Sequence, residues 1–192
     1  MDYNNTHGDC RGKADAAVPP AATGGRRYPM ERRDKENYYL DIAQTVMERS
    51  TCCRGNYGAI IVRNDEIIAT GYNGAPRGRT NCTDLGYCVR QKLNVPSGER
   101  YELCRSVHAE ANAIISAARS ECIGGTLYLV GRDAQTRELI ENAESCRMCR
   151  MMIINAGLSR MVVRNTPEKY TVYNVADWIF HDDSILEPDF KL

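Results

Sequence analysis

The triplet His108-Ala109-Glu110, followed 36 residues after Glu110 by Cys146-Arg147-Met148-Cys149, constrains this chain more than any other feature. One imidazole and two thiolates fill three corners of a zinc tetrahedron and leave the fourth open to water, which is the layout of a catalytic site and not of a closed structural one. For the three donors to meet, two segments distant in sequence must bring their starts to one point. His108 opens one apolar-periodic segment and Cys146 opens another, so the fold must make two helix N-termini converge. A Cys-x-x-Cys on a first helical turn aims both sulfurs the same way, and the N-terminal partial charges favour the thiolate forms. Ser145, just before Cys146, reads as an N-cap whose hydroxyl takes a free backbone N–H.

Zinc held in this way lowers the pKa of a bound water toward neutrality. Glu110 is placed to take a proton from that water, deliver it to a ring nitrogen and then to a leaving amine. Each half of the pattern alone is weak, since Cys146 and Cys149 would equally suit a four-ligand structural site or a redox pair. In order, and on helix starts, they follow the His-x-Glu and Pro-Cys-x-x-Cys signature of zinc-dependent nucleobase deaminases, with Ser145 in place of the proline. Hydrolytic deamination is the reaction class that follows.

Composition narrows the setting. At 192 residues the chain suits one domain with a real core. Lys+Arg and Asp+Glu both number 25, so no bulk charge draws it to nucleic acid or to a membrane. No apolar run reaches the ~18 residues of a membrane span, and the N-terminus lacks the apolar core of a signal peptide. Nine cysteines, an odd count, fit metal binding in a reducing compartment better than a disulfide framework. A cytoplasmic protein is expected. His7 and His181 lie near the termini, leaving His108 alone in the body of the chain.

Residues 1–29, rich in Gly, Ala, Pro and Arg, read as a disordered leader, and 30–192 as the folded domain. Tyr39, Ile42, Ala43, Val46 and Met47 predict a first helix from about Arg33 to Ser50. Tyr57–Arg63 and Glu66–Tyr72 read as strands joined by the turn Arg63-Asn64-Asp65. A long cysteine-bearing loop runs from Thr80 to Arg105. Val107, Ala111, Ile114, Ile115 and Ala118 mark the apolar face of a second helix, closed by Gly124-Gly125. Thr126–Val130 is a short strand, Gly131–Glu144 a polar excursion, and Cys146–Ala156 a third helix stopped by Gly157. Arg160–Arg164 is a further strand, and Thr171–Phe180 suits a strand or a helix equally. Strands alternating with helices indicate a layered α/β domain.

Four stretches together resemble the deoxycytidylate (dCMP) deaminases of the cytidine deaminase-like superfamily. They are Tyr57-Gly58-Ala59-Ile60-Ile61-Val62, Gly71-Tyr72-Asn73-Gly74-Ala75-Pro76-Arg77-Gly78, Val107-His108-Ala109-Glu110-Ala111-Asn112-Ala113-Ile114, and Cys146-Arg147-Met148-Cys149 with Ile153-Ile154-Asn155-Ala156-Gly157. The resemblance spans about Lys35 to Arg164, and the Gly-Tyr-Asn-Gly-x-Pro loop narrows it to the deoxycytidylate branch. It implies a three-layer α/β/α fold with a mixed five-stranded sheet, and hydrolysis of dCMP to dUMP with release of ammonia. It implies zinc on His108, Cys146 and Cys149, with Glu110 as the proton shuttle. Nucleotide contacts are implied at Asn73, Gly74 and Ala109, with Asn73 on the sugar, although on its own Asn73 reads as a plain turn residue. Arg119, at the end of the His108 helix, matches an arginine tied in the family to nucleotide binding and regulation; alone it reads as a solvated cation. Family members assemble as homo-oligomers, commonly hexamers, and are often regulated by dCTP and dTTP.

Some family members also carry a structural zinc. Cys52 and Cys82 fall where those members have ligands, and Cys88 and Cys104 would complete a four-cysteine site that staples the poorly hydrophobic segment from Thr80 to Arg105. Free thiols are the alternative, with Cys53 as another first ligand; Cys10 and Cys122 look unengaged. Two departures stand out. Ser145 replaces the usual proline, and Gly131–Glu144 is longer than a short turn and leads directly into the site, where it would shape substrate choice. The rival readings are a zinc deaminase of another cytosine nucleoside, nucleotide or modified base, and a non-catalytic nucleotide sensor. An intact Glu110 disfavours the sensor, because binding alone needs no proton shuttle.

Overall fold

Along the strand Gly55–Arg63 (β1), Ala59 and Ile61 belong to one hydrophobic core while Ile60 and Val62 belong to another. This period-two alternation marks a strand covered on both faces. The computed structural model describes residues 32–96 and 99–181, so the expected leader, residues 1–29, and Cys10 lie outside the described residues. In chain order the elements are helix α1 (Lys35–Met47), strands β1 and β2 (Glu66–Tyr72), short helices α2 (Cys82–Leu85) and α3 (Val89–Lys92), helix α4 (Ala109–Ile115), short helix α5 (Arg119–Cys122), strand β3 (Thr126–Asp133), helix α6 (Arg147–Ala156), strands β4 (Arg160–Arg164) and β5 (Tyr170–Asn174), and helix α7 (Val175–Phe180).

The five strands form one sheet in the order β2-β1-β3-β4-β5. β3 and β4 pair in parallel, and the other neighbours pair antiparallel. The sheet is therefore mixed, as expected. On one face Tyr39, Leu40, Ala43 and Met47 of α1 pack with Ile60, Val62, Tyr128, Val130 and Val162. On the other, Ala109 and Ala113 of α4, Ile153 and Ala156 of α6 and Val175 of α7 pack with Ala59, Ile61, Leu127, Leu129, Met161 and Val163. Each fully buried Leu or Ile contributes roughly 1.5–3 kcal/mol.

Two glycines let the helix layers approach the sheet. A Cβ at Gly58 would overlap the backbone of Ala43 and Met47, and one at Gly71 would overlap the backbone of Ala109 and Ala113. Gly71 thus seats α4 directly on β2, and Asn112 Nδ2 adds a hydrogen bond to Tyr72 O at 2.7 Å.

That seat also explains a departure from the expected apolar face. The buried side of α4 is Ala109, Glu110, Ala111 and Ala113, while Ile115 is 74% exposed. Only small side chains fit where helix and strand backbones touch, so the isoleucine points outward. The helix ends at Ile115, short of Ala118, and Arg119 starts the separate α5. Ser116, the C-cap, turns its hydroxyl back to Asn112 O at 2.8 Å.

β3 continues to Asp133, past the expected end at Val130, because Gly131, Arg132 and Asp133 pair with Tyr57, Asn56 and Gly55 of β1. The arginine is tolerated there because Glu48 neutralises it through two hydrogen bonds of 2.6 and 3.0 Å. The rest of the excursion folds back on the strand: Leu139 bridges to Arg132, and Ile140 N donates to Gly131 O at 2.9 Å. The 80–105 segment is not loop throughout, since it holds α2, α3 and a 3-10 turn at Tyr101–Leu103. Thr171–Phe180 resolves into both alternatives, β5 followed by α7. Among the described residues no helix is long and apolar enough to cross a membrane.

Because the α4 backbone blocks a side chain at position 71, Gly71→Ala should lower the unfolding free energy by about 1–3 kcal/mol, as overpacking does. Urea denaturation measures this, and wild-type stability would show that α4 is not seated as described.

Candidate active site

His108 and Cys146 occupy equivalent positions, each the N-cap of its helix with extended backbone (φ −71°, ψ 156° and φ −64°, ψ 162°). Cys149 is the third helical residue of α6 and Glu110 the second of α4. The side chains leave the two helix starts toward a shared point. His108 Nδ1 lies 3.4 Å from Cys146 Sγ and 3.5 Å from Cys149 Sγ. Zinc–nitrogen bonds of about 2.0–2.1 Å and zinc–sulfur bonds of about 2.3 Å make a tetrahedral edge of about 3.6 Å. The three donors therefore fit zinc, and their atoms all lie within 4.8 Å of one another.

Electrostatics agree with the donor set. Cys146 is pushed well below the usual thiol range by the Cys149 thiol donating to it, and by His108 beside it. Cys149 moves the other way, because it gives its hydrogen to that thiolate and is buried near Glu110. His108 is raised, chiefly by its contact with Cys146. Thiols and imidazoles bind a metal in their deprotonated forms, so loading the site would release protons. Tyr101 packs edge-on against the His108 ring at 4.9 Å, and the Arg90 guanidinium lies 4.6 Å from the Tyr101 ring centre.

Glu110 is buried, and Ser145 Oγ donates to its Oε1 at 2.7 Å. This corrects the expected cap. The helix begins at Arg147 with Cys146 as its N-cap, which puts Ser145 one residue too early to reach the free N–H groups.

A cavity of about 380 Å³ opens over these residues, a size that suits a small organic ligand. His108, Ala109, Glu110 and Cys146 line it, and Asn73, Tyr57, Arg54 and Tyr101 form further parts of its wall. The 131–144 excursion contributes Asp133, Ile140 and Glu144. Asn73 is at the wall, yet most of its amide is engaged within the protein. Its Oδ1 accepts from Ser50 Oγ (2.6 Å) and Tyr57 N (2.8 Å), and its Nδ2 donates to Gly55 O (2.8 Å). One amide hydrogen remains for a ligand. Gly74 pairs with Val107, tying the end of β2 to the segment that leads into His108. Arg119 is outside the cavity wall and donates through Nε to Asn155 O at 2.9 Å.

Cys52, Cys88 and Cys104 line the same cavity. Burial raises Cys82 and Cys104, and in both the neighbouring Cys52 adds to the shift. The four thiols expected to hold a second metal are thus neighbours. Among the described residues, however, only His108, Cys146 and Cys149 close into a donor set. Sequence reasoning missed Arg54, Tyr57 and Tyr101. Each looks like an ordinary surface or strand residue until the fold turns it to the cavity, although Tyr57 opens one of the four matching stretches and Arg54 lies just before it.

The family model for the cytidine and deoxycytidylate deaminase zinc-binding region matches residues 33–165. A deoxycytidylate deaminase of Mycobacterium phage D29 is 37% identical over 138 residues, covering 69% of this chain and 96% of that protein. A deoxycytidylate deaminase of Schizosaccharomyces pombe is 32% identical over 152 residues, covering 79% of this chain but 41% of that protein. The crystal structure of a dCMP deaminase from cyanophage S-TIM5 in complex with dCMP and dUMP is 28% identical with a TM-score of 0.48, covering 70% of this chain and 85% of that one.

Removal of the sole imidazole donor should empty the site without unfolding the domain, since His108 belongs to neither hydrophobic core. His108→Ala should retain its helical circular dichroism and lose the catalytic zinc, as read by elemental analysis; full zinc content would show that the donor set lies elsewhere.

Proposed function

The chain belongs to the cytidine and deoxycytidylate deaminase family, and we propose that it hydrolyses dCMP to dUMP and ammonia. The observation that carries this reading is Glu110 held beside the His108, Cys146 and Cys149 donor set in the wall of one cavity. The phage D29 relative, nearly all of which this chain spans, is a deoxycytidylate deaminase. Zinc on the three donors supplies the acidity that makes water nucleophilic near neutral pH. The Glu110 carboxylate takes a proton as water adds to ring carbon C4. It passes that proton to ring nitrogen N3 and then carries one to the departing amine. His108 is held by the edge-on Tyr101 ring. Burial of Glu110 keeps bulk water from competing for the proton.

A nucleotide needs a cation for its phosphate. Arg54 lines the cavity and has no side-chain hydrogen bond or ion pair among the described residues. Arg90 lines it too, but its guanidinium is engaged by the carbonyls of Pro96 and Glu99. We assign the phosphate to Arg54, and the sugar to the remaining amide hydrogen of Asn73 with Gly74 shaping that turn. Ala109, whose side chain is only a methyl group, lets the base lie against the start of α4.

A second, structural zinc on Cys52, Cys82, Cys88 and Cys104 is supported by the proximity of these thiols, and metal binding would draw them into a closed set. Self-association is supported by Ile115, Met148 and Met151, exposed on α4 and α6. Arg119, outside the cavity, is the residue we connect with regulation by dCTP or dTTP. A cytoplasmic location is supported by the eight described cysteines, all free thiols.

Four measurements test these assignments. Glu110→Gln should keep its zinc and lose at least ~10²-fold in ammonia release, the scale of a general acid–base step. Arg54→Ala should raise KM for dCMP roughly ten- to a hundredfold, the worth of a charged hydrogen bond, and leave deoxycytidine turnover unchanged. Elemental analysis should find two zinc ions per chain; one would remove the structural site and leave the catalytic one. A substrate panel of cytidine, deoxycytidine, CMP, dCMP, dCTP and a cytosine oligonucleotide decides the substrate, and preference for any but dCMP overturns it.

A further inference from the structure

Ser145 stands where the deaminase signature carries proline, and its hydroxyl meets the carboxylate that moves the proton. Ser145 and Glu110 are 3% and 4% exposed. Ser145 Oγ lies 2.7 Å from Glu110 Oε1 and 3.2 Å from Met161 Sδ. The hydroxyl has one hydrogen, and a carboxylate accepts it far better than a thioether, so the bond goes to Glu110. The serine backbone is held in turn, since Arg150 Nε donates to Ser145 O at 3.2 Å.

We propose that Ser145 is a positioning residue for Glu110, holding Oε1 so that Oε2 alone carries the proton between water, ring nitrogen and leaving amine. The terminal torsion of a glutamate is broad and weakly biased, so an unheld carboxylate would exchange its two oxygens at the substrate. With Oε1 held, each proton is taken up and delivered at one atom in one place, which is where a general acid–base gains its rate. Neither alanine nor proline at position 145 provides the donor. The inference rests on the reading of Glu110 as the acid–base of a deaminase.

The test combines kinetics with a readout that needs no turnover. Ser145→Ala should keep its zinc and lose roughly ten- to a hundredfold in kcat, with KM for the cytosine nucleotide changed by less than ~twofold. Ser145→Thr, which keeps a hydroxyl, should recover most of the loss. If Ser145→Ala does not fold, Ser145→Pro takes its place with the same expected loss. In protein labelled at the glutamate carboxyl carbon, the infrared band that vanishes in Glu110→Gln identifies Glu110, and this band should shift in Ser145→Ala. An unchanged kcat in Ser145→Ala, or an unmoved Glu110 band, overturns the proposal. If the wild-type protein releases no ammonia from any cytosine nucleotide, the deaminase reading fails by itself, and the infrared shift alone decides whether Ser145 holds Glu110.

Discussion

The meeting of the α4 and α6 N-termini is the constraint on which the rest of the structure depends. His108 reaches the two cysteines, 38 and 41 residues further along the chain, because β3 and β4 run parallel and the helices that accompany them start at the same end of the sheet. Gly71 then decides how close α4 lies to β2, and Gly157, in the left-handed conformation that ends α6, turns the chain into β4. With both helices so placed, the N-cap positions offer His108 and Cys146 as donors, and the first turns add Cys149 as the third donor and Glu110 as the neighbouring carboxylate.

A site of this kind has to bury polar groups, and the fold does so by pairing them. Glu110 is met by Ser145. Arg132, inside the sheet, is met by Glu48, and Arg164, almost fully buried, by Asp41 at 2.7 Å and Gln44 at 3.0 Å. Asn73 serves as a bracket that ties Ser50, Gly55 and Tyr57 together at the mouth of the cavity. Breaking such a buried arrangement costs more than forming it gains, because the remaining partner is left without solvent. The same economy leaves Arg54 conspicuous, as a cavity cation without a protein partner among the described residues.

Much of this was legible in the chain. The cluster of His108, Cys146 and Cys149 with Glu110 beside it could be read because zinc accepts few side-chain types and a helix start imposes their spacing. The strands Glu66–Tyr72 and Arg160–Arg164 could be read because turn residues bound a strongly β-forming run. The errors have a common physical origin in tertiary contact. Periodicity put Ile115 inward, but contact of the α4 backbone with Gly71 admitted only alanines there. Polarity ended β3 at Val130, but pairing with β1 and neutralisation by Glu48 carried it to Asp133. Ser145 looked like a cap by its type and place, and the carboxylate across the site claimed its hydroxyl instead.

The sequence by itself determined the donor set, the reaction class and the alternation of layers, because these depend on residue chemistry and on spacing within single elements. The tertiary structure alone decided which oxygen of Glu110 is held, which arginine faces the cavity, and how much of Asn73 remains for a ligand. Those outcomes depend on groups from different elements competing for the same hydrogen bonds, and no local pattern records which of them wins.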